Sequence, residues 1–226
     1  MKGAVIYISS NRENPKFESK IIEDMLGKRG DLSVYAVTQK GFESFKGATE
    51  LFEGIPDLYE TVIGDVGTSG FNFCRQLQMV VEMAKVDYVI SCEADCLYSP
   101  DYFEFIPPRL DTVYRNTNNY VLPYKKDYWH PKNSQTAFQI AGRDFLLDRL
   151  NFLLKDQPEW DMKQKNFPKE IGLPFLEGWE EFKTINACFG IKTGKGMRNH
   201  TASGSDKVYD LPYWGKAVDV RKEYSI

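Results

Sequence analysis

The sequence has few cysteines, few histidines and no long hydrophobic run. Its four cysteines show no CxxC spacing in 226 residues, so they predict neither a disulfide framework nor a zinc site. Both histidines are distant in sequence from Cys92 and Cys96, the closest cysteine pair. The apolar run at residues 4–8 is too short for a signal peptide or a membrane span. These absences predict a cytoplasmic protein with no membrane span.

The chain also lacks an excess of either charge. It has 29 Lys+Arg against 32 Asp+Glu, a formal net charge of -3, so no overall basic field attracts nucleic acid or anionic membrane. A hydrophobic fraction of 42% is enough for a sizeable core and excludes disorder as the main state. Aromatic residues are plentiful at 14%, and Tyr and Trp rings can stack on sugars and bases.

Short apolar runs alternate with helical spacing in the first half of the chain. One helix is expected from Pro15, and a second is expected after the glycine-rich loop at residues 64–70. Strands are expected at residues 4–8, 32–37, 60–63 and 86–92. This order predicts an α/β fold with a central, mostly parallel sheet and helices on both faces.

The second half of the sequence is less regular. Strands are expected at residues 112–114 and 120–122, and an amphipathic helix at residues 143–155. Long stretches rich in proline and glycine follow, and loops of this length in a compact domain are more often functional than not.

Two carboxylates follow the apolar strand expected at residues 86–92. Glu93 and Asp95 are two residues apart, so in an extended chain they lie on the same side and converge on one ligand. Ligands bind outside the carboxyl ends of strands in open α/β sheets, and paired carboxylates suit Mg²⁺ or Mn²⁺. The alternative is that the pair solvates the strand end or caps the next helix.

The segment CEADCLYSPDYFEFIPP, residues 92–108, resembles the acidic-motif region of GT-A-fold nucleotide-sugar glycosyltransferases. It is most similar to bacterial and phage members with an E-x-D metal motif, and looser similarity extends to SSNR, GFNFCRQLQ and RNHTASG. The resemblance implies a GT-A-like (Rossmann-like) fold in one domain, residues 1–226. Residues 1–110 would bind the nucleotide sugar, and the irregular residues 111–226 would form the acceptor side.

The resemblance also implies a metal-dependent transfer from a nucleotide-sugar donor, first among them a UDP-sugar. Glu93 and Asp95 would hold Mn²⁺ or Mg²⁺ at the donor diphosphate, with His200 as a further ligand. Contacts to the nucleotide or phosphates are expected from Ser9, Ser10, Arg12, Arg75, Gln76, Lys195 and Arg198. For these polar residues the alternatives are a helix-entry loop, exposed helix positions and an exposed loop.

An acceptor-side carboxylate is also expected from the resemblance. Residues 178–182 follow a loop rich in proline and glycine and are expected to begin a helix. Glu177, Glu180 and Glu181 are candidates for the base that deprotonates the acceptor hydroxyl, with Glu181 preferred. The helix dipole would favour glutamates there without any catalytic role, and inversion or retention of configuration stays open.

The acceptor is the least determined part of the function. Residues 124–130 are expected to form an exposed aromatic lip that grips it. A glycan is compatible, as are a lipid-linked sugar and a protein. A hydroxymethylated base of phage DNA stays open because basic residues lie beside aromatics at 125–126 and 192–207.

Two other functions share these features. A nucleotidyltransferase would use the same sheet and acidic site, but residues 9–14 contain no glycine for the usual phosphate loop. A non-catalytic nucleotide-binding or sugar-binding module would bind ligand without metal-dependent hydrolysis.

Overall fold

The computed structural model describes residues 1–44, 55–132, 135–161, 178–194 and 206–224. In the first half, strands and helices alternate as expected. The elements are β1 (Gly3–Ser9), α1 (Pro15–Lys28), β2 (Ser33–Thr38), β3 (Leu58–Val62), α2 (Gly70–Met83), β4 (Tyr88–Glu93), β5 (Cys96–Leu97) and the one-turn helix α3 (Pro100–Phe103).

The second half contains more short strands than helices. Its elements are β6 (Val113–Asn116), β7 (Asn119–Leu122), β8 (His130–Lys132), β9 (Gln139–Gly142), α4 (Arg143–Leu154), β10 (Trp179–Phe182), β11 (Cys188–Ile191), β12 (Asp210–Leu211), β13 (Gly215–Lys216) and α5 (Ala217–Tyr224).

The main sheet has seven strands in the order β10-β6-β9-β4-β1-β2-β3. Strand β9 is antiparallel to both of its neighbours, and the remaining pairs are parallel. The expected α/β class with a mostly parallel central sheet is therefore confirmed. Strands from both halves of the chain take part in this sheet.

A second sheet has the order β5-β11-β7-β8 and begins where the main sheet ends. Only Ala94 and Asp95 separate β4 from β5. The Asp95 carbonyl accepts a hydrogen bond of 2.7 Å from the Ile191 N–H at the end of β11. The acidic segment therefore lies at the junction of the two sheets.

Each face of the main sheet is covered by helices. Ile22 and Met25 of α1 pack with Tyr102 on one face, while Leu77 of α2 and Leu150 of α4 pack on the other. These alternating apolar positions bury both faces, as the expectation of helices on both sides requires. No helix in the described ranges is long and apolar enough to cross a bilayer.

The helix expected at residues 178–182 is wrong, because this segment is the edge strand β10. Residues three apart share a face in a helix, but Trp179 and Phe182 pack in core clusters on opposite faces of the sheet. In a strand, where side chains alternate between faces, both rings can pack in the core. This packing outweighs the helix-start signal of the preceding loop.

The expected aromatic lip is wrong at Trp129. This residue is fully buried, and its ring lies with its centroid 4.3 Å from that of Phe189. Its backbone pairs with Val208, so Trp129 is a core residue of the second sheet. Tyr128 and His130 face the opposite way, as alternation in an extended chain requires.

Candidate active site

A cleft lies at the carboxyl ends of β1, β2 and β4. Parallel strands bring their carboxyl ends to one edge of the sheet, so polar residues that are distant in sequence meet there. Ser9 and Ser10 line the cleft from β1, Glu93 and Asp95 from β4, and Gln76 from α2. These five residues predicted from the sequence are therefore brought together.

The loop after β1 is fixed by its own polar side chains. Asn11 has a φ of 50°, in the left-handed region that asparagine tolerates, and its N–H donates to Ser9 Oγ at 2.9 Å. Asn11 Oδ1 accepts a hydrogen bond of 2.8 Å from the Lys40 N–H. Arg12 forms a 3.1 Å ion pair with Asp65, and both side chains are exposed. The loop is thus held against the end of β2.

The cleft also contains residues that were not expected from the sequence, among them Gln39 and Phe73. Gln39 Nε2 donates to the Gly67 carbonyl at 2.8 Å, and Gly67 has a φ of 83° that favours glycine. The position of Gln39 just after β2 was the available signal, since residues after parallel strands reach this edge. Phe73 adds an aromatic ring to the wall.

Arg75 is on the same helix as Gln76, but its side chain binds backbone carbonyls elsewhere in the fold. Its guanidinium donates to the carbonyls of Leu154 at 3.1 Å and Gln157 at 2.9 Å. The Leu154 carbonyl is at the end of α4, where backbone acceptors have no partner within the helix, and the Gln157 carbonyl lies just beyond it. The structure therefore directs Arg75 to the end of α4, and the described residues that line the cleft do not include it.

The strand end that presents Glu93 is anchored by buried tyrosines. The Glu93 N–H donates to Tyr98 Oη at 2.8 Å, and Tyr102 Oη donates to the Ser91 carbonyl at 3.0 Å. Both tyrosines are almost completely buried. The position of the carboxylates is thus set by the core and not by a free loop.

Three possible ligand atoms meet at this strand end. Side-chain ligand atoms of Glu93, Asp95 and Cys96 lie within 4.8 Å of one another. Burial raises the pKa of the Cys96 thiol well above its ordinary value, and its sulfur is a soft ligand that Mg²⁺ and Mn²⁺ do not prefer. The two carboxylates are hard oxygen ligands, which fit Mg²⁺ or Mn²⁺.

The charges of neighbouring groups shift the pKa of Glu93 in opposite directions. The pKa of Glu93 is raised to about 7, chiefly by burial and next by the charge of Asp95, while the charge of Lys192 acts to lower it. Lys192 Nζ lies 3.3 Å from Asp95 Oδ2. A divalent cation would favour the ionised form of Glu93, as any nearby positive charge does.

The proposed acceptor-side carboxylates lie away from the cleft. Strand β10, with Glu180 and Glu181, is three strands from β4, a distance of about 14 Å at ordinary strand spacing. Glu180 forms a 3.3 Å ion pair with Arg109. Glu177, Lys195, Arg198 and His200 lie outside the described residues.

No protein-family model matches the sequence, and no curated protein matches it. Solved structures do match. S. aureus TarS 1-349 is similar at a TM-score of 0.52 and 14% identity, covering 84% of this chain and 60% of that one. The same protein in complex with UDP gives a TM-score of 0.50 and 15% identity, with 85% and 61% covered. The fold is GT-A-like.

A third similar structure is the inositol-1-phosphate CTP transferase from T. maritima. Its TM-score is 0.51 at 10% identity, and the alignment covers 85% of this chain and 90% of that chain. This chain spans only about 60% of the TarS structures. At these identities the similarity shows the fold, and the activity has to be argued from the cleft.

Proposed function

We propose that this protein is a glycosyltransferase that takes a sugar from a nucleotide diphosphate donor, with a UDP-sugar as the first candidate. The observation that supports this most is the convergence of Glu93 and Asp95 on a cleft at the carboxyl ends of β1 and β2. The similar TarS structure that contains UDP adds support for the donor class.

The cleft residues divide by what they can contact. Ser9, Ser10 and Gln39 offer polar groups to the nucleoside, and the Phe73 ring offers a stacking surface for a base. Gln76 faces the same space from α2 and is assigned to the donor. Arg12 is assigned a donor contact only if its exposed ion pair with Asp65 opens, which exposed pairs do at little cost.

Glu93 and Asp95 would hold Mg²⁺ or Mn²⁺ through their carboxylate oxygens. When bound there, the metal would stabilise the negative charge that develops on the departing nucleotide diphosphate. In the transfer, the bond between the sugar carbon and the phosphate oxygen breaks with its electron pair leaving on the diphosphate. The acceptor oxygen bonds to that carbon and gives its proton to a carboxylate base.

The acceptor side is assigned to residues 111–226, with Glu181 preferred among Glu177, Glu180 and Glu181 as the base. Strand alternation places Glu181 on the sheet face of Trp179, which packs with the core cluster that also contains Val89 of β4. Glu93 follows Val89 at even spacing, so Glu181 and Glu93 share a face. An acceptor bound between Glu181 and Glu93 would span the gap of about 14 Å between their strands. A glycan is the proposed acceptor.

The test is a panel of nucleotide sugars with and without Mn²⁺, read by released nucleotide diphosphate. Glu93→Gln and Asp95→Asn should each lower turnover by about 100-fold or more, because each removes a metal ligand. Asp111→Asn, an exposed carboxylate paired with Arg109, is the matched control and should keep full activity. Full activity in Glu93→Gln or Asp95→Asn, with the fold intact, would refute the metal assignment.

A nucleotidyltransferase is the second candidate, supported by the similarity that covers 90% of the T. maritima CTP transferase. It would consume a nucleoside triphosphate and a sugar phosphate and release pyrophosphate. Pyrophosphate release would therefore favour this activity over sugar transfer. Saturable nucleotide binding with no turnover in either assay would favour a non-catalytic module.

A hydroxymethylated DNA base is kept as the alternative acceptor. Association with duplex DNA that weakens steeply as salt rises would favour it. No difference between DNA and a neutral polymer at low salt would remove it.

A further inference from the structure

Lys192 is held firmly beside the carboxylates of the cleft. Its Nζ lies 3.3 Å from Asp95 Oδ2, and both side chains are 19% exposed. Its N–H donates to the Leu122 carbonyl at 2.9 Å, and the preceding Ile191 N–H donates to the Asp95 carbonyl at 2.7 Å. The lysine backbone is therefore fixed between two strands, unlike that of a lysine on a surface loop.

The ammonium and a divalent cation would compete for one carboxylate. Asp95 is at once the ion-pair partner of Lys192 and a proposed metal ligand. A metal bound there would have to displace the ammonium or lie close to it, and like charges repel strongly in a partly buried site. In the free protein, Lys192 therefore neutralises part of the negative charge of the proposed metal site.

A donor diphosphate changes this balance. It brings at least two negative charges into the same cleft and offers the ammonium new oxygen partners. Lysine is a point charge on a flexible four-carbon stem, so Nζ can move from Asp95 to a phosphate oxygen without a backbone change. Asp95 is then free to bind the metal.

We infer that Lys192 couples metal binding to donor binding: it occupies Asp95 in the free protein and transfers to the donor diphosphate when metal and donor bind together. This rests on the proposed donor cleft and metal site. Because coupling between two ligands is reciprocal, the metal strengthens diphosphate binding by the same factor as the diphosphate strengthens metal binding.

The test measures Mn²⁺ affinity directly, from the paramagnetic resonance signal of free Mn²⁺, with and without UDP. Lys192→Met keeps the length of the stem and removes the charge. It should bind Mn²⁺ alone about tenfold more tightly than the natural protein. The enhancement of Mn²⁺ binding by UDP should fall by a similar factor, because the lysine no longer links the two events.

Lys132→Met is the matched control. Lys132 is a partly buried lysine of β8. Burial lowers its pKa, and repulsion from the nearby Lys192 lowers it further. Among the described residues, Lys132 forms no ion pair with a carboxylate. Its variant should change Mn²⁺ affinity in the absence of UDP by less than about twofold.

Three outcomes separate the inference from the function on which it rests. Equal Mn²⁺ affinity without UDP in the natural protein and Lys192→Met, with equal enhancement by UDP, overturns the role of Lys192. Failure of both proteins to bind Mn²⁺ under any condition overturns the metal site and the inference together. The expected Mn²⁺ affinities without any sugar transfer would support the coupling and refute the glycosyltransferase activity.

Discussion

A buried glutamate should make the stability of the fold depend on pH. Glu18 lies on α1 with no exposed surface, and the Tyr7 hydroxyl donates to its Oε1 at 2.9 Å. Burial raises the pKa of Glu18 from 4.5 to about 7, although hydrogen bonds from Ser9 and Tyr7 lower it in part. The folded protein therefore holds this carboxyl protonated at a pH where the unfolded chain has ionised it.

The sign and size of the effect follow from these two pKa values. Stability from Glu18 is fully present below pH 4.5 and is lost as the pH rises towards 7, because the unfolded state releases its proton first. At 1.36 kcal/mol for each pH unit, the whole loss is about 3 kcal/mol. About 2 kcal/mol of it should fall between pH 5 and pH 8.

The variant Glu18→Gln keeps an oxygen that can accept from Tyr7 and removes the titration. We expect its free energy of unfolding, measured with urea, to gain about 2 kcal/mol on the natural protein between pH 5 and pH 8. Glu23→Gln is the control, since Glu23 is an exposed carboxyl on the same helix. Parallel pH curves for the natural protein and Glu18→Gln would refute the reasoning.

Two further substitutions test the positions found in the structure. Arg75→Met removes hydrogen bonds to the carbonyls of Leu154 and Gln157 and should lower stability by about 1–3 kcal/mol while leaving UDP affinity unchanged by calorimetry. A drop in UDP affinity without loss of stability would show instead that Arg75 binds the donor. Gly142→Ala would place a Cβ only 1.7 Å from the Leu110 carbonyl oxygen, so thermal unfolding should show a large loss of stability. A melting temperature equal to that of the natural protein would contradict this.

The regular part of the fold and the acidic pair were predictable because they depend on local patterns. Short apolar runs predicted β1 and β4, and the spacing of Glu93 and Asp95 placed them together at a strand end. Both signals are periodicities within a few residues, which one sequence displays fully.

The rest depended on contacts that no local pattern contains. The ion pair between Asp95 and Lys192 joins residues 97 positions apart. The end of α4 takes Arg75 away from the cleft, although its sequence position suits a donor contact. Trp129 lies in a stretch with loop composition, yet a strand pairing with Val208 makes it part of the core.

The position of β9 beside β4 also affects how the chain folds while it is being synthesised. Strands β1 to β4 leave the ribosome before Gln139, the first residue of β9, has been added. Until then β4 keeps one edge with unpaired N–H and C=O groups, which can form hydrogen bonds with other chains. At about 5–20 residues per second this edge stays open for a few seconds in each nascent chain. Expression should therefore benefit from chaperones, and truncation before Gln139 should yield aggregates.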